Sequence, residues 1–541
     1  MNLFDAIFQQ SSPDRTAILY EQRGISYADL REQTLAIARV LSMLDVRQGD
    51  RIAMLLNDSP EFVAVFIAVC SYGAIAVPIN MALRLDEQRV ILNDSTARFL
   101  IVEDELRDPI LESVTNRVPH LESVVLVGRS AVTQNLTTNI AESKAQQATP
   151  SIRILALTQL LLDSRHQPLP DLPTPEADQP AFILYTSGST GEPKGAIHRQ
   201  SDIFYTNETY CREVLNLKEG DRLFSSSRLP FAYGLGNSFT FPLLNGCTTI
   251  LCREKPTPKV IAKIFDEYKP TIFFAVPVVY SLLLAEQKDP QAGFALDCSS
   301  LRLCISAGEA LPAAIGDDWE KTFGVPVLDG IGSTEMLHMW MSNHDGEIVY
   351  GSSGKLLRGY EARLLDPEGN STPTGIEGNL WVKGASAAIG YWERPKTTAG
   401  TFVDGWVRTG DLYKCDSNGI WFHMGRSDDC FKSSGQWVSP VEVEGVLLRH
   451  QGVSRVAVVE DFDGEGLPCA CAFLVRAEGE QSDTALETEL REFARAALPR
   501  YKQPKQYVFV GELPYTATGK VQRFKLREQL RASKVAATDK E

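Results

Sequence analysis

The stretch Tyr185-Thr-Ser-Gly-Ser-Thr-Gly-Glu-Pro-Lys-Gly195 follows directly on a strand-like apolar run at residues 181–185. Its glycines let a backbone approach a ligand closely, and its hydroxyls and Lys194 can donate to phosphate oxygens. It is not a Walker P-loop. Counting from Gly188, Pro193 stands where GxxxxGK[ST] requires its second glycine. Taken alone, the motif also fits a Ser/Gly surface loop.

Further strand-like runs at 248–252, 271–276 and 301–305 are each followed by turn or helix-start chemistry, the rhythm of a large α/β domain. Residues 1–125 alternate helical periodicity with short apolar runs, which predicts parallel α/β layers. The uncharged stretch 62–79 is long enough to span a bilayer. Ser71-Tyr72-Gly73 interrupts it and Pro78 closes it, so a buried helix, a turn and a short strand at 74–79 fit better. Residues 129–178 turn to Gln, Ser, Thr, Asn and Pro and read as a loosely structured connection. Residues 345–425 carry short strands rich in glycine and aromatics. Beyond them the pattern predicts a helix at 441–449, strands at 453–459 and 470–475, a helix at 484–498 and a strand at 507–510. The tail beyond Ser533 is expected to fray. The predicted fold is α/β: a large N-terminal domain, 1–427, of layered α/β subdomains with a β-rich subdomain at about 345–425. A mobile, small α+β C-terminal domain, 428–541, follows.

Composition excludes several functions. The chain has 541 residues, with 54 Lys plus Arg against 69 Asp plus Glu, a net charge of −15. Such a surface repels nucleic acid and anionic membranes, so an anionic substrate must meet a local positive site. Ten scattered cysteines show no zinc spacing and read as reduced, packed thiols. No secretory signal is visible at the N-terminus, and the expected location is the cytoplasm.

Three more motifs carry chemistry. Asp329-Gly-Ile-Gly-Ser-Thr-Glu335 flanks a hydroxyl and a carboxylate with glycines, which suits a nucleotide phosphate and its magnesium, or a structural turn. Arg408-Thr-Gly-Asp411 and Gly425-Arg426-Ser427-Asp428 offer a carboxylate for ribose hydroxyls and an arginine to assist it. Pro514-Tyr-Thr-Ala-Thr-Gly-Lys520 presents a lysine after a glycine.

In this order and spacing the four motifs resemble those of the adenylate-forming superfamily: acyl-CoA synthetases, peptide-synthetase adenylation domains and beetle luciferases. The resemblance runs from about residue 10 to 530. Phe231-Ala-Tyr-Gly-Leu-Gly-Asn237, Ser306-Ala-Gly-Glu-Ala-Leu-Pro312 and the continuation to His338 look like the benzoate–CoA ligase branch. The resemblance implies activation of a carboxylate with MgATP to an acyl-adenylate and pyrophosphate, then transfer to coenzyme A with release of AMP.

By the family pattern, Thr186, Ser187, Gly188, Ser189, Thr190, Gly191 and Lys194 handle the β and γ phosphates. Gly308, Glu309, Ala310, Asp329, Gly330, Ile331 and Gly332 line the adenine site, with Phe422 counted among the nucleotide contacts. Thr334 touches the α-phosphate and Glu335 holds magnesium. Asp411 and Arg426 match the ribose positions. Lys520 bridges the acid and the α-phosphate, with Thr186 and Glu335 as further catalytic groups. Asp428 matches the hinge, and Lys432, Ser434, Gly435 and Trp437 the coenzyme A tunnel.

The acyl pocket implied is a small flat slot of Ala232, Tyr233, Gly234, Ser306, Ala307, Ile331, Gly332 and His338. Phe231-Ala-Tyr233 offers no Asp to pair an α-ammonium, and Gly234 replaces the Asn of dihydroxybenzoate enzymes. The expected acid is therefore of benzoate, anthranilate or hydroxybenzoate type. His338 reads equally as a contact to a ring substituent and as packing. Cys304 and Lys355 are left open. The expected partners are the acid, ATP and coenzyme A, with no prosthetic group, no nucleic acid and no membrane. A carrier-protein acceptor and a non-catalytic scaffold are the rival readings, and the chain is expected as monomer or homodimer.

Overall fold

The computed structural model describes residues 2–9, 11–114, 117–128, 152–187, 193–288, 295–433, 436–463, 465–477, 482–515 and 521–538. The uncharged stretch is the helix Pro60–Tyr72, with eleven of its thirteen residues buried. Ser59 caps it by accepting from the Phe62 N–H, Pro60 occupies the first turn, and Gly73 ends it at φ +87°. The buried strand Ile75–Pro78 follows at once. Among the described residues no helix is long and apolar enough to cross a membrane.

That strand lies inside an eight-stranded sheet, in the order Gly390–Tyr391, Pro193–Arg199, Pro180–Ser187, Ile75–Pro78, Arg51–Leu55, Phe99–Glu103, Ser123–Val127, Arg153–Ala156. From Pro180–Ser187 onward the pairing is parallel. Pro193–Arg199 and Gly390–Tyr391 add an antiparallel edge. A nine-stranded sheet is parallel from Val327–Gly332 through Leu303–Ser306, Ile272–Ala275, Arg222–Ser225 and Thr248–Ile250 to Thr16–Tyr20. Arg23–Ser26 closes one edge, and Met339–Ser342 with Lys355–Leu356 the other, all antiparallel. Parallel strands need helices on their faces, which accounts for their near-continuous apolar runs.

A separate five-stranded sheet is built from Glu361–Leu365, Gly378–Lys383, Phe402–Val403, Trp406–Cys415 and Trp421–Arg426, while Lys355–Leu356 and Gly390–Tyr391 join the two larger sheets. Two apolar clusters then draw only on Phe431 and later residues. They hold together the hairpin Phe431–Ser433/Gln436–Val438, the sheet Val453–Phe462, Pro468–Arg476, Gln506–Phe509, and the helices Pro440–Leu447, Asp483–Ala497 and Arg523–Thr538.

Two expectations are corrected. The connection at 129–178 is not loose throughout: Arg153–Ala156 pairs with Ser123–Val127 as an edge strand, and the helix Leu157–Asp163 follows. An edge strand is held by backbone bonds on one side and needs little apolar signal. Residues 129–151 of that stretch lie outside the described residues. The tail continues past Ser533 as part of the helix Arg523–Thr538, which Leu526 and Leu530, one turn apart, anchor in the second C-terminal cluster. All ten cysteines are free thiols, seven buried and three half-buried.

Gly73 tests this frame: its left-handed φ and a Gln48 carbon 3.0 Å from where a Cβ would stand both oppose a side chain. Gly73→Ala should lower unfolding free energy by about 1–2 kcal/mol, the cost of forcing an L-residue into this region. Denaturant titration measures it, and an unchanged midpoint would contradict the account.

Candidate active site

The glycine-rich motif joins two antiparallel strands, Pro180–Ser187 and Pro193–Arg199, with Thr186 paired to Lys194 and Tyr185 to Gly195. Gly188, Ser189, Thr190 and Gly191 lie outside the described residues, as does the Ser187 side chain. Gly195 is required by close packing: a Cβ there would come within 2.6 Å of Ile183 and 2.9 Å of the Tyr185 ring. The Tyr185 hydroxyl donates to Asp94 at 2.7 Å, and Arg394 pairs with the same carboxylate at 2.6 Å. The base of the hairpin is thereby fixed to a helix end. The Lys194 ammonium lies 5.7 Å from the centre of the Tyr391 ring.

The strand Val327–Gly332 and the turn Thr334–Met336 bring the second motif to the same rim. Gly330 and Gly332 cannot carry side chains, since a Cβ would meet the Met341 and His338 carbonyls at 2.5 and 2.6 Å. Asp329 is buried, and burial pushes its carboxyl up to about 8 although the Leu311 N–H donates to Oδ2 at 3.1 Å. Its Oδ1 has no hydrogen-bond partner among the described residues. Ser306 is its cross-strand neighbour and is fully buried.

The turn itself is braced from three sides. His198, buried against Asp202, places Nε2 2.7 Å from the Thr334 carbonyl. The Ala388 N–H donates to the Glu335 carbonyl at 2.8 Å, and the Tyr391 hydroxyl donates to Glu335 Oε1 at 2.7 Å. Burial, and then the Glu335 anion, hold the Tyr391 phenol far above its usual range, so it remains a donor. Gly308 adopts φ +93° beside the half-buried Glu309 and Ala310, and Glu309 Oε1 accepts the Val521 N–H at 3.1 Å.

Asp411 and Arg426, distant in sequence, are register partners on adjacent strands, with Nη1 3.1 Å from Oδ1. Burial opposes ionisation of Asp411, yet His423 and Arg426 hold its carboxyl below the usual range. The Phe422 ring faces Lys414. His423, which sequence reasoning passed over, is the imidazole beside Asp411, 3.7 Å away.

The slot residues gather around Tyr233, whose hydroxyl donates to the Ile305 carbonyl at 3.2 Å. Ala232 and Ala307 are buried, and Ile331 is half-buried in the same apolar cluster as Tyr233. A Cβ at Gly234 would lie 2.1 Å from the Arg228 carbonyl, so close packing against the preceding loop requires a glycine here. His338 is packed among Tyr210, Tyr233 and Phe241, and burial pulls its imidazole down to about 3. Neither ring nitrogen has a hydrogen-bond partner among the described residues, and the same holds for the Tyr210 hydroxyl and both Asn237 amide atoms. Tyr210 had no local signal. Asn237 had one, at the end of a quoted motif.

Cys304 is buried in a different apolar cluster, with Trp319 and Phe273. Lys355 pairs with Glu347 on the surface. Asp428 follows Ser427, which donates to the Gly410 carbonyl, and precedes Asp429, which pairs with Arg527 at 3.0 Å. Lys432 is exposed on the hairpin. Ser434, Gly435, the Trp437 side chain and Lys520 lie outside the described residues.

The paired strands of the glycine-rich motif, the braced Glu335 and the Asp411–Arg426 pair make up the candidate site. Family comparison decides the matter: residues 6–392 match the AMP-binding enzyme family, and residues 442–520 match the AMP-binding enzyme C-terminal domain. The chain belongs to the AMP-binding enzymes. It is 40% identical to the benzoate–CoA ligase of Thauera aromatica, over 90% of this chain and 86% of that protein. Among solved structures it is similar to the anthranilate CoA ligase AuaEII in complex with anthranoyl-AMP, with a TM-score of 0.88, 34% identity and 98% coverage of both chains. A benzoate CoA ligase from Burkholderia xenovorans LB400 gives a TM-score of 0.84 and 34% identity, over 97% of this chain and 100% of that one.

Asp329 gives this AMP-binding enzyme a pH signature. Its carboxyl is raised from 3.8 to about 8, so folding takes up a proton between those values, and stability falls as pH rises through that window. Asp329→Asn removes the proton uptake and keeps an acceptor for Leu311. The variant's Tm should therefore decline less than the wild type's between pH 5 and 8.5. Parallel Tm–pH curves would show that burial does not hold Asp329 neutral.

Proposed function

We propose that this enzyme activates a small aromatic carboxylic acid of benzoate, anthranilate or hydroxybenzoate type with ATP and transfers the acyl group to coenzyme A, as an AMP-forming aryl-CoA ligase. The segment 329–338 carries the reading. It presents Asp329, Thr334 and Glu335 on the nucleotide side, and Ile331 and His338 in the aromatic cluster of Tyr233. An acid held there lies beside the nucleotide. The named acids of the relatives support the substrate class.

In the first step a carboxylate oxygen attacks the α-phosphorus, the bond to the bridging oxygen breaks, and pyrophosphate leaves with the electron pair. In the second, the coenzyme A thiolate attacks the acyl carbon and the C–O bond to AMP breaks. A carboxylate by itself would have to expel oxide; AMP is a far better leaving group, so one hard step becomes two easier ones.

In this reading the hairpin from Thr186 to Lys194 holds the β and γ phosphates. Gly308, Glu309, Ala310 and the strand Asp329–Gly332 line the adenine. Asp411 accepts from the ribose hydroxyls, with Arg426 beside it, and Thr334 contacts the α-phosphate. Lys520 stabilises charge between the two anions. Val521, the next residue in the chain, is bonded to Glu309 in the nucleotide wall, which supports a C-terminal domain docked for adenylation.

Magnesium fits Glu335. This cation takes one or two carboxylates plus substrate phosphates rather than an all-protein cage. Tyr391 engages Oε1, and among the described residues no hydrogen bond reaches Oε2. When bound, the metal supplies charge neutralisation for the phosphates. Rotation of the C-terminal domain about Asp428 then brings Lys432, Ser434, Gly435 and Trp437 toward the thioester step.

Pyrophosphate release with MgATP across benzoates, anthranilate, cinnamates and fatty acids, with and without coenzyme A, tests the reading. One small aryl acid should dominate and yield a thioester only with coenzyme A. Release confined to fatty acids, or no stimulation by coenzyme A, would reject the pocket or the acceptor. Lys520→Ala should lose about 10²-fold or more in pyrophosphate release, the scale for removing one preorganised charge-stabilising donor. Asp428→Pro should keep pyrophosphate release and lose thioester formation; equal loss of both would refute the hinge.

A further inference from the structure

The segment Ala388–Trp392 has no place in the motifs above, yet it joins two of them. Its main chain runs along the phosphate hairpin: the Ile389 N–H donates to the Ile197 carbonyl at 2.9 Å and the Trp392 N–H to the Gly195 carbonyl at 2.8 Å. Gly390 and Tyr391 stand in register with Ile197 and Ala196. On its other side the Ala388 N–H holds the Glu335 carbonyl, and the Tyr391 hydroxyl donates to the Glu335 carboxylate. The Tyr391 ring, under the Lys194 ammonium, is 7% exposed and packs edge-on against Phe402 with centroids 5.5 Å apart. Thr398 Oγ1 accepts the Tyr391 N–H at 2.9 Å, fixing the main chain from which the ring projects.

We propose that Tyr391 is a positioning residue: it holds one oxygen of Glu335, so that the other is presented to the divalent cation of the nucleotide, beside Lys194 on the neighbouring strand. The inference rests on the reading of Glu335 as the metal carboxylate. The physical reason is entropic. A free glutamate carries several rotamers, and ordering a long side chain costs free energy that binding must otherwise supply. A rigid phenol, seated on the strand that carries the hairpin edge, meets that cost before the ligand arrives. It also links the two partners of the phosphates, since any shift of the hairpin edge is transmitted through the 389–392 backbone to the carboxylate.

The test separates binding from turnover. Mn2+ is titrated by electron paramagnetic resonance with α,β-methylene ATP and no acid present, and half-saturating Mg2+ is read separately from pyrophosphate release. Tyr391→Phe should raise both half-saturation values about tenfold, the scale of one lost hydrogen bond to a charged group, and the rate should recover at high Mg2+. Phe402→Leu loosens the same ring while keeping the hydroxyl; it should lower Tm without moving the metal dependence. Glu335→Gln reports on the underlying reading. If it weakens Mn2+ binding and Tyr391→Phe does not, the positioning role is overturned alone. If neither does, the metal assignment falls with it. An equal metal shift in Phe402→Leu would reduce Tyr391 to packing and also overturn the proposal.

Discussion

The site depends on how closely two antiparallel strands approach at one edge of the nine-stranded sheet. Gly330 and Gly332 put bare α-carbons against the carbonyls of Met341 and His338. Any side chain would push the returning strand away. Because the strands meet, the turn between them is short and tight, and Asp329, Ile331, Thr334, Glu335 and His338 come from one stretch of chain. The remaining parts, the hairpin edge, the 388–392 segment and the Asp411–Arg426 pair, are arranged around that turn.

A chain of net charge −15 that is proposed to bind a nucleotide needs local cations. The described ones are already engaged: Lys194 with an aromatic face, Arg426 with Asp411 and the Thr409 carbonyl. Such partners keep a cation in place while leaving its outer face for an anion, and they prevent collapse onto the acidic surface. The acidic surface in turn discourages polyanions that lack the shape to enter the cleft.

Much of this could be read before any coordinates. Parallel strands have both faces covered, so their apolar runs at 181–185, 271–276 and 301–305 announced themselves within a residue or two. The helix–turn–strand in 62–79 was marked by Ser71-Tyr72-Gly73 and Pro78. Very short edge strands were harder: Arg153–Ala156 has four residues and Gly390–Tyr391 two, too few for an apolar pattern to show. Of the candidate site, the motif residues were legible because their glycines are demanded by close approach. Tyr391, His198 and His423 were not, since each acts across long sequence separation and leaves no spacing rule. The packing demand on Gly234 was not legible, because the obstructing carbonyl belongs to a loop whose path the sequence does not reveal.

The hydrogen bond from the Val521 main chain to Glu309 has an evolutionary corollary. A main-chain donor is the same for every residue at 521 except proline, so most drift there leaves the contact's chemistry unchanged. Through this contact, adjustment of how firmly the small domain rests on the large one falls to the acceptor, and the acceptor stands in the wall proposed for the nucleotide. A lineage that retunes the pace of domain exchange by changing Glu309 must at the same time alter its nucleotide site, so turnover tempo and nucleotide affinity are inherited together.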